Sequence, residues 1–168
     1  MLKVYLVVLS MSSNCYLGKD MRYLLLICIL LFFVGCRGTG FEELESGKRH
    51  LQGVNLSGGD LSGLDLKNAN LSNSNLTNCN LTKTDLKGAV LINVNFQGAY
   101  LNKANLEGAD CRGADFLNAN LGECNFKKAN LTHARFVGTD VVKADFREAI
   151  GLDPGLVKHM KDKGALVD

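Results

Sequence analysis

The sequence predicts a solenoid, a chain wound into short stacked coils, and three observations predict it. From Leu51 every fifth residue is apolar, through Leu56, Leu61, Leu66, Leu71, Leu76 and onward past Phe96, Cys111, Phe116, Phe126 and Phe136 to Phe146, without an insertion. Two places before most of these stands a small residue, as at Ala69, Ser74, Cys79, Thr84, Ala89, Ala99, Ala109, Ala129 and Ala149. Between the two sits mostly Asn or Asp, as at Asn70, Asn75, Asn80 and Asp85. A period of five matches neither the 3.6 of a helix nor the 2 of an alternating strand. It does suit a coil in which each five-residue unit forms one side, with the central Leu or Phe and the small residue before it turned inward.

These units, plain in stretches such as ANLSN, ANLEG, ADFLN and ANLGE, resemble the pentapeptide repeat family over residues 49–150. That resemblance implies an all-β fold, a right-handed four-sided parallel β-helix of about five coils. Four sides of five residues place residues twenty apart in one column. At a strand spacing of about 4.8 Å the solenoid would be roughly 24 Å long. One inner column would then read Leu56, Leu76, Phe96, Phe116, Phe136, and another Leu66, Leu86, Leu106, Phe126, Phe146. Cys79, Cys111 and Cys124 fall in three different columns, so they are read as small buried hydrophobes rather than as a disulfide or a metal site.

Ahead of the repeat, residues 23–34 (YLLLICILLFFV) form an apolar run preceded by Met21 and Arg22. Twelve residues are too few to cross a bilayer, which takes about 20. They suit the hydrophobic part of an export signal. The following FVGC resembles a lipobox, which makes Cys36 the expected site of lipidation and the first residue of the mature chain. The organisation expected is a signal over 1–35, which either starts at Met21 or, from Met1, is unusually long, then a lipidated N-terminus and tether over 36–48. Phe41 and Leu44 of the tether are placed to touch the first coil. Arg37 is not the Asp that would retain an enteric-type lipoprotein at the inner membrane. The expected location is therefore the bacterial cell envelope, at the outer membrane facing the periplasm.

After Ala149 the repeat stops, and residues 151–168 are expected to cap the last coil. Asp153 suits an N-cap, Pro154 the first helical position and Gly164 a stop. Leu156, Val157 and Met160 make an apolar stripe, with Leu166 and Val167 available to extend the cover.

The 168 residues hold 19 basic and 17 acidic side chains, a net charge of +2. From residue 37 onward the two signs balance at 16 each. That gives no footprint for nucleic acid. Some members of the resembled family are acidic, dimeric DNA mimics that bind topoisomerase, often with projecting loops. This chain is neutral, lacks insertions between coils and carries an export signal, so no nucleic-acid role is expected.

No cofactor, metal site or catalytic set is expected either. His50, His133 and His159 are too scattered to share a metal. Asp65 and Asp85 stack one coil apart, but they stand open beside Lys67, Lys83 and Lys87, with no cleft to tune them for acid–base work. A hydrolase or carbohydrate-active enzyme would need a cleft that insertion-free coils do not supply. The outward apolar residues Val90, Ile92, Tyr100, Leu117, Val137 and Val142 are the candidate interaction surface. The function expected is a non-catalytic, lipid-anchored scaffold or protein-interaction module of the envelope, with an envelope protein as partner. A structural spacer without a specific partner is the alternative.

Overall fold

The computed structural model describes residues 51–168. The expected signal over 1–35, Cys36, the expected tether and His50 lie outside the described residues. Over 51–150 the backbone winds in coils of twenty residues. Residues at each fifth position pair in parallel with those twenty further on, from Asn55 with Asn75 to Asn130 with Ile150. The hydrogen bonds alternate between neighbouring coils. Leu56 N–H donates to the Asn75 carbonyl at 2.8 Å, Asn75 N–H returns to the Val54 carbonyl at 2.9 Å, and Gly58 N–H donates to the Thr77 carbonyl at 2.9 Å. Side one holds the units centred on Leu51, Leu71, Leu91, Cys111 and Leu131. Side two is centred on Leu56 to Phe136, side three on Leu61 to Val141 and side four on Leu66 to Phe146.

Each side ends in a turn. The Leu76 carbonyl accepts from Cys79 N–H at 3.2 Å, and Asn78 between them has φ +56°. Left-handed backbone at the third residue, with a bond from the fourth to the first, is the pattern of a type II turn. Glycine suits that place best and asparagine next, and Gly58, Gly98, Asn68 and Asn93 obey. Lys103 (φ +61°) and His133 (φ +62°) take it as well, because the cross-coil bonds fix the corner whatever the side chain.

The recurring Asn or Asp has a distinct task, which is to brace the turn from outside. Its Oδ1 accepts from the backbone N–H two residues on, as for Asn55 from Ser57 (3.2 Å), Asp65 from Lys67 (3.1 Å) and Asp115 from Leu117 (3.1 Å). This is the Asx arrangement that favours these two residues in turns.

The interior is apolar throughout the middle coils, where Leu71, Leu76, Leu86, Phe96, Leu106, Cys111, Phe116 and Phe126 are fully buried. The phenylalanine columns stack as the twenty-residue register requires. Phe96 and Phe116 lie 5.0 Å apart at 2°, Phe116 and Phe136 5.1 Å apart at 13°, and Phe126 and Phe146 4.9 Å apart at 5°. Between the columns Phe116 meets Phe126 edge-on, at 5.7 Å and 90°.

The small column also solves a polar problem. Where it carries Ser74, Thr84, Cys79 or Cys124, the hydroxyl or thiol donates to the central carbonyl of the coil before. The acceptors are Leu51 (2.8 Å), Leu61 (2.8 Å), Leu56 (2.8 Å) and Leu101 (2.6 Å). No buried side-chain polar atom among the described residues lacks a partner. Cys79, Cys111 and Cys124 are buried free thiols, as the column argument requires. Burial pushes the Cys124 thiol up to about 12, and raises those of Cys111 and Cys79 as well.

The end of the solenoid is closed in two ways. Helix α1, Pro154–Asp162, starts at Asp153, whose Oδ1 accepts from Gly155 and Leu156 N–H, and it buries Met160. Lys163 caps its C-terminus and Gly164 turns the chain at φ +86°. Residues 164–168 then run as a partial sixth coil. Lys143 N–H donates to the Gly164 carbonyl (3.0 Å), Phe146 N–H to the Leu166 carbonyl (2.7 Å), and Leu166 N–H to the Ala144 carbonyl (2.8 Å). Leu166 therefore covers through its backbone, while its side chain is exposed.

Candidate functional site: the outer columns

Because the core consumes two residues of every five, any function must be built from the outer positions. The charged columns are largely spent on each other. Lys67 pairs with Asp85 (3.1 Å), Lys87 with Glu107 (3.0 Å), Lys103 with Glu123 (3.7 Å), Lys127 with Asp145 (3.3 Å) and Lys128 with Glu148 (3.7 Å). In these pairs the partner stands in the next coil, so the twenty-residue register writes the ladder. Asp85 and Asp65 serve it as well, with Lys67 between them, rather than forming an acid–base couple.

Asp145 is the most strongly bound carboxylate. Arg147 donates to it through Nε (2.9 Å) and Nη2 (2.6 Å), and these bonds, with Lys127 alongside, hold it well below the usual carboxylate range. A depressed folded-state value gives stability that is present above the unfolded value of about 3.9 and lost as pH falls below it. Asp145→Asn keeps the turn-bracing oxygen and removes the charge. It should cost about 0.5–1 kcal/mol at neutral pH, the usual worth of a partly exposed pair. The difference from the parent should shrink towards zero in urea titrations run at progressively lower pH below about 4.

The six apolar candidates separate into two groups. Val90, on side one, and Ile92, at the turn after it, are only half-exposed. Tyr100, Leu117, Val137 and Val142 border or occupy side three. Tyr100 stands in its middle, Leu117 and Val137 stack at one corner and Val142 lies at the other. Tyr100 is 55% exposed, Val137 63% and Val142 49%, while Leu117 is half-buried. Ile150 (59%) and Leu166 (48%) are exposed too. Ile150 could have been found from the sequence, since like Val90, Tyr100 and Arg135 it occupies a place given elsewhere in the described coils to Asn or Asp. His133 and His159 are exposed and well apart in the chain, on the last coil and on α1. Among the described residues no group of His, Cys, Asp and Glu could hold a metal, and no helix is long and apolar enough to cross a membrane.

This architecture agrees with what known proteins show. The family model for pentapeptide repeats matches residues 50–88, 69–108 and 109–148. The chain belongs to the pentapeptide repeat family, whose fold is the right-handed quadrilateral β-helix. Among solved structures, a pentapeptide repeat protein of the Arabidopsis thaliana thylakoid lumen is 29% identical. It aligns over 70% of this chain and 81% of its own, with a TM-score of 0.64. HetL, a pentapeptide repeat protein involved in heterocyst differentiation regulation in the cyanobacterium Nostoc sp. strain PCC 7120, is also 29% identical. It aligns over 68% of this chain with a TM-score of 0.56, and this chain spans about half its length (53%). None of the curated proteins matches the chain. Members of this family are repeat scaffolds rather than enzymes as a rule.

Proposed function

We propose that the protein is a non-catalytic interaction scaffold held at the bacterial outer membrane, facing the periplasm, by lipid on Cys36. The observation that carries the scaffold reading is the outer surface of the β-helix. Its charges are paired coil to coil, while the exposed apolar side chains Tyr100, Val137 and Val142 gather on and around one side. Repeat solenoids use their outer faces to meet partners, and this side carries the exposed apolar groups such a contact would use. The lipobox-like FVGC and the apolar run before it support the anchor, and Arg37 supports the outer membrane. Balanced charge beyond residue 36 argues against nucleic acid as a ligand.

The anchor is tested by intact mass of protein purified from membranes of the native host, with and without a block of the lipoprotein signal peptidase. A mature species beginning at acylated Cys36, lost under the block, is the expected result. An unmodified chain that retains residues 1–35 would overturn it. The protein-interaction part is tested by crosslinking with Leu117→Ser/Val137→Ser beside Val90→Ser/Ile92→Ser. Loss of a captured envelope protein from a folded variant supports that role. Equal capture by every variant favours the spacer.

A further inference from the structure

Side three breaks the rule of its own column at one place. Down its middle run Asp60, Asn80, Tyr100, Asn120 and Asp140, joined coil to coil by the pairings Asp60–Asn80, Asn80–Tyr100, Tyr100–Asn120 and Asn120–Asp140. Asn80 accepts from Thr82 N–H (3.1 Å), Asn120 from Gly122 N–H (3.1 Å) and Asp140 from Val142 N–H (3.0 Å). Tyr100 has no side-chain oxygen that reaches back to the chain in this way. The third coil therefore gives up its turn brace at Asn102 and sets a large aromatic ring in water, 55% exposed. Folding alone would favour Asn there.

The surroundings of the ring are chemically distinctive. In the register, Asn80 and Asn120 flank it in the coils before and after, Gln97 and Asn102 flank it within its own coil, and Thr82 stands beneath Asn102. Several of their polar atoms are unspent within the described residues. Asn102 Nδ2 donates to Asn120 Oδ1 (2.6 Å), leaving Asn102 Oδ1 and Asn120 Nδ2. Gln97 Nε2 donates to Asp115 Oδ2 (2.9 Å), leaving Oε1. The Thr82 hydroxyl and the Tyr100 phenol are also unengaged. The charges at the border are Lys103 and Glu123, paired with each other, and Lys83, while Asp60, Asp140 and Lys143 stand two coils away on the same side. Gly98 and Gly122 keep the neighbouring corners low.

We propose that this side binds a neutral glycan strand, the β-linked N-acetylhexosamine chain of peptidoglycan, with one sugar ring against Tyr100. A sugar offers an apolar C–H face, which suits an exposed aromatic ring, and a rim of hydroxyl and amide groups, which suits uncharged donors and acceptors. An extended β-linked chain also presents its rings at intervals comparable to the spacing between coils, about 4.8 Å. A cleft is needed to break a glycosidic bond, but a flat side is enough to hold the polymer. The choice of peptidoglycan among glycans rests on the envelope placement proposed above.

The test uses the full chain purified in detergent from membranes. The probes are an N-acetylglucosamine tetramer, read by saturation-transfer NMR, and purified sacculi, read by co-sedimentation. The decisive variant is Tyr100→Asn, which restores the brace used elsewhere in the column and so should fold at least as well. The parent should bind both probes, and Tyr100→Asn should weaken tetramer binding by about two- to tenfold, the effect of losing a stacked aromatic contact. Absence of tetramer binding by the parent, or equal binding by Tyr100→Asn, would overturn the proposal. So would binding to sacculi alone, which would point to the peptide stems. Tyr100-dependent capture of a protein without glycan binding would overturn it equally. A chain that keeps residues 1–35 yet binds the tetramer through Tyr100 would retire the envelope placement and leave the glycan site standing.

Discussion

Replacing Phe116 with alanine is expected to lower the unfolding free energy by about 3–5 kcal/mol, the range for emptying a buried phenylalanine site. Phe116 is fully buried in the fourth coil, between Phe96 at 5.0 Å and Phe136 at 5.1 Å, with Phe126 edge-on at 5.7 Å. Its loss therefore breaks three aromatic contacts as well as opening a void. The surrounding wall is a ladder of backbone hydrogen bonds on all four sides, so it has little freedom to collapse inward. Phe136→Ala should cost less, because it lies in the last coil and is itself slightly exposed. Denaturant unfolding of the two variants beside the parent gives the comparison. A loss at Phe116 below about 1.5 kcal/mol would mean that the coils close over the gap, and that the stacked rings are not what sets their spacing.

Gly98→Ala is expected to cost about 1–2 kcal/mol, chiefly the strain of placing a Cβ on left-handed backbone, with a smaller part from displacing the Asn78 side chain. Two effects combine there. Gly98 has φ +65°, in the left-handed region, and a methyl group on it would run into Oδ1 of Asn78 in the coil before. The same relation joins Asn68 to Gly88, Asn93 to Gly113 and Asn118 to Gly138. At each of these pairs an asparagine covers the glycine of the following coil. The double variant Asn78→Gly/Gly98→Ala separates the two effects, since it removes the collision and leaves the backbone strain. It should be more stable than Gly98→Ala alone. Simple additivity of the two single changes would show that the two corners do not touch.

Much of this architecture was legible in the sequence because the inward positions obey a strict period. The apolar centre at every fifth residue predicted a solenoid. A twenty-residue coil, taken from the family resemblance, then predicted the Phe96–Phe116–Phe136 and Phe126–Phe146 stacks and the separation of the three cysteines. The start of α1 was legible from Asp153 and Pro154. What the sequence left unread depends on contacts between coils. Asn118 over Gly138, and the hydroxyl of Thr84 on the Leu61 carbonyl, become neighbours only once the chain has wound. The backbone role of residues 164–168 was hidden for the same reason, since Leu166 and Val167 read as apolar cover. The six apolar residues were legible as outward positions, but not that Val90, Ile92 and Leu117 are half-buried there while Tyr100, Val137 and Val142 are exposed. Tyr100 stood out as aromatic, whereas its meaning lay in the brace that its position normally supplies.

The twenty-residue register has a consequence for how such a chain can lengthen or shorten. Adding a single five-residue unit in the middle would preserve the local pattern perfectly and yet rotate everything after it by a quarter turn. Inserted between Leu91 and Phe96, it would bring Phe96 and the rest of its column above leucines of a different side. Lys87 would no longer stand beneath Glu107, and Asn78 would cover a residue other than Gly98. Every unit would still look correct alone, while each vertical match that spans the insertion would be lost and those wholly before or after it would survive. A whole added coil keeps the register across the junction, so the structural module is twenty residues long although the visible repeat is five.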